Sequence, residues 1–326
     1  MPRAELQTGV LLVNLGTPDA PTAPAVRSFL REFLSDPRVV SLPRLLWWPI
    51  LHGIILPRRP RRVAEAYREI WLEQGSPLRF YSSRIAAALA AALEPRLPVE
   101  LGMRYGNPRL ADALARLVER GARRVVVLPL FPQYSSSTTA AVVDAAQAAV
   151  RHLRVRPQPE LRFVLDYHDH PAYIDALAQS IAEHRARHGG AGRLLMSFHG
   201  LPESYVRAGD PYQEQCHKSA ALIARKLELG DAEWELVFQS RFGWQRWLQP
   251  YLDTRLRALP GSVRHIDVVC PGFATDCLET LEEIAMRGRR TFIDAGGREL
   301  RYIPALNDSP RHIAALAAIV AGHCRN

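Results

Sequence analysis

Eight short runs rich in branched and aromatic residues punctuate the chain, and longer amphipathic stretches separate most of them. The runs are Val10–Leu15, Val99–Met103, Arg124–Leu130, Leu161–Leu165, Leu194–Phe198, Glu235–Gln239, His265–Val269 and Arg301–Ile303. Most are apolar at nearly every position, the pattern of strands buried on both faces of a parallel sheet. Parallel strands cannot be joined by tight hairpins; each pair needs a crossover of about a dozen residues or more, usually a helix. Helical periodicity fills these gaps at Pro108–Arg120, Thr138–His152, Pro171–Arg187, Tyr212–Leu229 and Thr275–Met286. The reading is α/β, with βαβ repeated and the two halves forming similar four-strand units.

Residues 17–93 break this rhythm. They form a long insertion after the first strand, expected as several helical pieces without a strand, and an excursion at a strand's carboxyl end often serves a site. Pro157 and Pro159 bracket a polar stretch at Arg154–Glu160, which places a boundary there. The expected organisation is a first domain over 1–156 carrying the insertion, a second over 157–308, and a last helix over 309–326 packing back on the first. A chain of 326 residues is long enough for two such domains.

The formal charge is +9, from 42 basic and 33 acidic residues, and Lys218 and Lys226 are the only lysines. The arginines are interspersed with glutamates on amphipathic stretches. Neither zinc-finger spacing nor an RNA-recognition signature accompanies them, so no nucleic-acid partner is expected. One dense cluster, Arg58, Arg59, Arg61 and Arg62, follows an apolar segment holding Trp47 and Trp48. That pairing suits a membrane surface or an anionic amphiphile; it suits a loop and a solvated helix start equally well. The longest apolar candidate, Leu45–Leu56, is broken by Pro49, His52 and Gly53, well short of the roughly 18 residues of a membrane span. No signal-peptide pattern is present near the start. The expected location is cytoplasmic, with peripheral contact at the inner membrane under the first reading of the Trp–Arg segment. Cys216, Cys270, Cys277 and Cys324 are too few for a disulfide scaffold and suit free thiols.

In open parallel sheets, ligands sit outside the carboxyl ends of the strands. Those ends carry Asn14-Leu15-Gly16-Thr17-Pro18, Arg104-Tyr105-Gly106, Phe131-Pro132-Gln133-Tyr134, His199-Gly200-Leu201-Pro202, Gln239-Ser240-Arg241-Phe242-Gly243 and Cys270-Pro271-Gly272-Phe273. None is a dinucleotide fingerprint or a P-loop. His199 closes an apolar strand before a glycine, where an imidazole can accept a proton, bind a metal, or simply cap the strand. Asp276, Glu279 and Glu283 follow at i, i+3 and i+7 at the start of a helical stretch. Spaced this way they share one face, either as acids placed for the helix dipole or as an acidic column for cations or protons. Histidine with carboxylates, without a cysteine cage, suits Fe²⁺ or another borderline divalent ion.

At these residues the chain resembles a bacterial ferrochelatase, which inserts Fe²⁺ into protoporphyrin IX. The resemblance rests on Asn14–Pro18, Gly75-Ser76-Pro77-Leu78, Phe131–Ser135, Ser197–Pro202, Gly209-Asp210-Pro211-Tyr212, Gln239–Gly243, Trp247-Leu248 and Cys270–Thr280, in order along nearly the whole chain. It implies two Rossmann-like domains with four-stranded parallel sheets flanked by helices, as in class II chelatases, and a porphyrin cleft. It implies His199 and Glu279 as catalytic residues, and His199, Glu279 and Glu283 as metal ligands. Leu15, Tyr67, Ser76, Arg104, Tyr105, Trp247 and Phe273 match cleft-lining, substrate-binding positions, and the segment near Trp47 matches the family's active-site lip. No permanently bound cofactor is implied, because Fe²⁺ is a substrate. No [2Fe–2S] cluster is expected either, since four thiolates must converge and no cysteine-rich tail follows Cys324. Alternatives are a chelatase acting on another tetrapyrrole, coproporphyrin or sirohydrochlorin, and a non-catalytic porphyrin or haem carrier.

Overall fold

The computed structural model describes residues 7–93, 97–155, 157–189, 192–243 and 245–324. Among them the chain forms two four-stranded parallel sheets. The first contains β1 (Thr8–Thr17), β2 (Val99–Gly106), β3 (Arg124–Pro129) and β4 (Glu160–Phe163), in the order β2-β1-β3-β4. The second contains β5 (Arg193–His199), β6 (Trp234–Gln239), β7 (His265–Val269) and β8 (Glu299–Tyr302), in the order β6-β5-β7-β8. The two halves thus share one topology: the first strand of each lies between the second and third, and the fourth is an edge.

Each sheet is buried by the helices that connect its strands. In the first, Leu11 and Val13 of β1 and Val125 and Val127 of β3 pack with Leu114, Leu117 and Val142 from the crossover helices. In the second, Leu195, Val237 and Val268 pack with Leu252, Leu256, Ile284 and Phe292. Apolar burial of this kind contributes roughly 25 cal/mol per Å², which is why the strands read as continuous apolar runs.

Two compact units result. One comprises Met1–Phe131, Ser135–Asp166 and Ile313–Asn326; the other comprises Pro132–Tyr134 and Tyr167–His312. The strand at Glu160–Phe163 pairs with β3, through Arg124↔Glu160 to Val127↔Phe163. The first unit therefore extends to Asp166, past the boundary drawn at 156. Prolines 157 and 159 mark the turn into an edge strand rather than a linker, and residue 156 itself lies outside the described residues. The C-terminal helix, Pro310–Cys324, begins in the second unit and from Ile313 onward belongs to the first.

The insertion is helical: Ala23–Leu34, Arg44–Ile50, Leu56–Ile70 and Pro77–Leu93, with a π-helical turn at Leu51–Ile55. That turn follows Pro49, which cannot donate within the helix and disturbs the hydrogen-bond ladder. The neighbouring tryptophans divide their roles. Trp47 is buried and donates its indole N–H to Leu34 O at 2.7 Å, covering the end of the preceding helix. Trp48 points outward at 45% exposure.

Candidate active site

His199 is the last residue of β5 and is half-buried. Its Nδ1 lies 2.6 Å from Gly200 O. A carbonyl can only accept, so Nδ1 carries the proton and Nε2 presents a lone pair. Gly200 is required beside it: a Cβ there would stand 2.7 Å from Gln239 O and 3.0 Å from the Trp247 ring. The Phe273 ring lies 6.4 Å from the imidazole, centroid to centroid.

The acidic stretch follows β7. A short helical turn, Leu278–Thr280, carries Glu279 and runs directly into a π-helix at Leu281–Gly288 that carries Glu283. Both glutamates are half-buried. Glu283 is gripped by Ser240, whose backbone N–H donates to Oε1 at 2.8 Å and whose hydroxyl donates to Oε2. Ser240 holds a left-handed backbone, φ 64°, to present both donors at once. Burial pushes the Glu283 carboxyl above its usual range, against the pull of the Ser240 donors, Arg287 and the His199 imidazole. His199 and Glu283 are therefore electrostatic neighbours.

Asp276 departs from the expected column. It is 3% exposed and faces the protein interior. Its Oδ1 accepts from the Tyr302 hydroxyl at 2.5 Å and Thr280 Oγ1 at 3.1 Å, and its Oδ2 accepts from Asn307 Nδ2 at 2.7 Å. Ordinary helical spacing put it on the face of Glu279, but the regular helix starts only at Leu278, so the i, i+3 relation does not apply. Asp276 anchors the start of the helix to the segment after β8. Glu279 and Glu283 remain as the half-buried acids of the stretch.

Trp247 is 5% exposed; its indole N–H donates to Phe242 O at 2.9 Å. It packs behind Gly200 and supports the His199 strand end, leaving little surface for a ligand. Cys216, Cys270 and Cys277 are buried, and burial pushes all three thiols well up. Each has its own setting: Cys216 beside Tyr212, Cys270 Sγ on Gln239 Oε1 at 3.5 Å, and Cys277 in a capping box with Thr280.

The remaining sequence-selected residues lie in the first unit. Leu15, half-buried near the end of β1, precedes Gly16, whose φ is 111° and whose Cβ would stand 1.7 Å from Tyr105 O. Only glycine permits β1 and β2 to meet so closely there. Arg104 donates Nε to Ala141 O at 2.9 Å, pairs with Asp36, and lies 4.4 Å over the Tyr105 ring. The Tyr105 hydroxyl donates to the same Asp36 carboxylate at 2.9 Å. Tyr105 and Ser76 are each 1% exposed and Tyr67 is 7% exposed. Burial raises the Tyr105 phenol far above its usual range. Tyr105 and Ser76 are thus buried and present almost no surface. Asp36, which organises Arg104 and Tyr105, gave no motif; neither did the bridging role of Gln239, though the polar run at the end of β6 was a signal for it.

Residues 7–324 match the family model for Ferrochelatase. The chain is 52% identical over 324 residues to the ferrochelatase of a Polaromonas species, covering 98% of this chain and 88% of that one. It is 53% identical over 319 residues to that of Nitrosococcus oceani, covering 97% and 86%. Among solved structures it resembles the sirohydrochlorin chelatase SirB of Bacillus subtilis subspecies spizizenii in complex with cobalt. The TM-score is 0.58 over 98% of this chain and 97% of that one, at 11% identity, a likeness of fold. The architecture is the chelatase fold of two parallel four-stranded sheets flanked by helices.

Proposed function

Because this chain belongs to the ferrochelatase family, we propose that it catalyses the last step of haem synthesis, insertion of Fe²⁺ into protoporphyrin IX with release of two protons. The observation that supports the site assignment is that His199 ends β5 while Ser240, just past the paired end of β6, holds Glu283 of the helical stretch that also carries Glu279.

Free porphyrin holds two pyrrole protons and is nearly flat. Bending the ring exposes a nitrogen lone pair to the metal, and burial of the ring's apolar surface supplies the energy for that strain. His199 Nε2 is a neutral acceptor for a pyrrole proton and a ligand for the arriving ion. Glu279 takes the second proton or holds Fe²⁺ as it loses water. Glu283, held by Ser240 and within electrostatic reach of His199, is a further ligand for the arriving ion. In the first unit Leu15 offers apolar surface to a porphyrin and Arg104 a partly exposed guanidinium for a propionate, with Tyr67, Ser76 and Tyr105 buried in support; in the second, Phe273 offers apolar surface and the buried Trp247 supports the His199 strand end. Fe²⁺ is substrate in this scheme. The scheme uses neither a resident cofactor nor a [2Fe–2S] cluster.

Among the described residues no helix is long and apolar enough to cross a membrane. Leu45, Leu46, Trp48 and Ile54 are nonetheless 91, 63, 45 and 53% exposed, and the exposed Arg58, Arg61 and Arg62 follow on the same helical run. This face suits peripheral docking on an anionic bilayer of the cytoplasmic inner membrane, where a greasy dicarboxylate substrate partitions.

The test is anaerobic absorbance of the purified protein with Fe²⁺ and protoporphyrin IX, with coproporphyrin and sirohydrochlorin in parallel. Many turnovers of haem are expected. Stoichiometric porphyrin binding without turnover would leave a carrier instead.

A further inference from the structure

Gln239, the last residue of β6, stands opposite His199 in the parallel register of β5 and β6. It is 3% exposed, and its carbonyl and both polar atoms of its side chain are hydrogen-bonded. Its backbone carbonyl accepts from Gly200 N at 2.7 Å, immediately after His199. Its side-chain Oε1 accepts from Ser197 Oγ at 2.6 Å, two residues before His199, and from Cys270 Sγ at 3.5 Å. Its Nε2 donates to the backbone carbonyl of Glu279 at 2.8 Å. Through its backbone carbonyl and its side-chain amide together, Gln239 touches the chain on both sides of His199, and the amide alone joins Ser197, the loop that follows β7 and the main chain of Glu279.

Only an amide of this length can do so. Oε1 must accept from a hydroxyl while Nε2 donates to a carbonyl, so neither a carboxylate nor an apolar side chain reproduces the pair. The bond to Glu279 O also satisfies a carbonyl where regular α-helix gives way to π-helix, a place where the intrahelical ladder is disturbed. Building on the reaction proposed above, we infer that Gln239 is a positioning residue for metal insertion: it fixes the separation of His199 and Glu279 and touches neither substrate. Its influence falls on the step in which those two groups act together, and porphyrin binding does not depend on it.

The experiment compares wild type with Gln239→Met, which keeps length and burial but removes both polar atoms, using steady-state haem formation and metal-free protoporphyrin titration by fluorescence. The expected result is a kcat lower by about tenfold to a hundredfold, the scale of a small misplacement of reacting groups. Porphyrin affinity and porphyrin KM should stay within about twofold of wild type. A folded Q239M with wild-type kcat overturns the proposal. So does a loss that falls equally on porphyrin binding, because that would make Gln239 a substrate contact. If Q239M does not fold, Ser197→Ala carries the test: it removes the hydroxyl that orients the amide and is expected to lower kcat with porphyrin affinity intact, and an unchanged kcat overturns the proposal. Wild-type protein that forms no haem overturns the functional reading itself, an outcome separate from any difference between variant and parent.

Discussion

Ser240 donates both its backbone N–H and its hydroxyl to the Glu283 carboxylate, from a left-handed backbone at φ 64°. A β-branched residue could not hold that conformation cheaply, and glycine would hold it without the hydroxyl. Two donors on two carboxylate oxygens fix the plane of the group as well as its position. Ser240→Ala keeps the N–H and frees the carboxylate to rotate. The KM for Fe²⁺ should rise about tenfold while the porphyrin KM is unchanged, as read from initial rates against each substrate.

His199→Ala and Glu279→Gln should each reduce haem formation by at least about a hundredfold, the lower end of the range for a positioned proton acceptor. Circular dichroism should stay unchanged, since both side chains are half-buried at loop junctions. Folded variants with wild-type rates would sink the site assignment.

Asp276→Ala leaves the Tyr302 hydroxyl and the Asn307 amide without their acceptor, while the Thr280 hydroxyl keeps Cys277 O. Removal of a buried acceptor with several partners should cost about 3 kcal/mol. Urea titration should show the midpoint falling accordingly, and a loss within a few tenths of a kcal/mol would mean the anchor is dispensable.

His312 is fully buried, and its Nδ1 donates to Asn307 O at 2.6 Å. Burial lowers its pKa from 6.5 to about 4. Between those values the unfolded chain binds a proton that the folded chain does not. Stability from this residue is therefore complete above pH 6.5 and is lost as pH falls toward 4, by about 3 kcal/mol in all. His312→Leu should flatten that part of the pH dependence in urea midpoints measured from pH 7 to pH 4; an unaltered slope would contradict it.

Leu45 and Leu46 are the most exposed of the large apolar residues in the insertion. Replacing both by Glu should abolish co-sedimentation with phosphatidylglycerol-rich vesicles while leaving turnover with detergent-dispersed porphyrin intact. Equal binding by parent and variant would remove this face as the docking surface.

The βαβ order was legible because strands buried on both faces must be apolar throughout, and all eight strands fall where such runs lie. His199 and Glu279 stood out as candidates because a polar residue closing an apolar strand and an acid opening a helix both break a local pattern. The unit boundary was not. Glu160–Phe163 is too short and too charged to declare its sheet, and only its pairing with β3 assigns it. Asp276 was misplaced for a similar reason: i, i+3 spacing implies one face only inside a regular helix, and the chain there is not yet helical.

By itself, then, the sequence determined the parallel α/β architecture, the helical insertion and the chemistry at the strand ends, since each follows from periodicity or from residue type at a local break. The tertiary structure decided that Asp276 turns into the interior, that Gln239 holds the main chain of Glu279 and Ser240 the carboxylate of Glu283, and that Tyr105, Ser76 and Trp247 are buried. Those are matters of side-chain direction and of partners 37 to 74 positions away, such as Arg104 with Ala141 and Gly106 with Glu32. Contacts at that range come from the packing of separate elements, which local spacing does not encode.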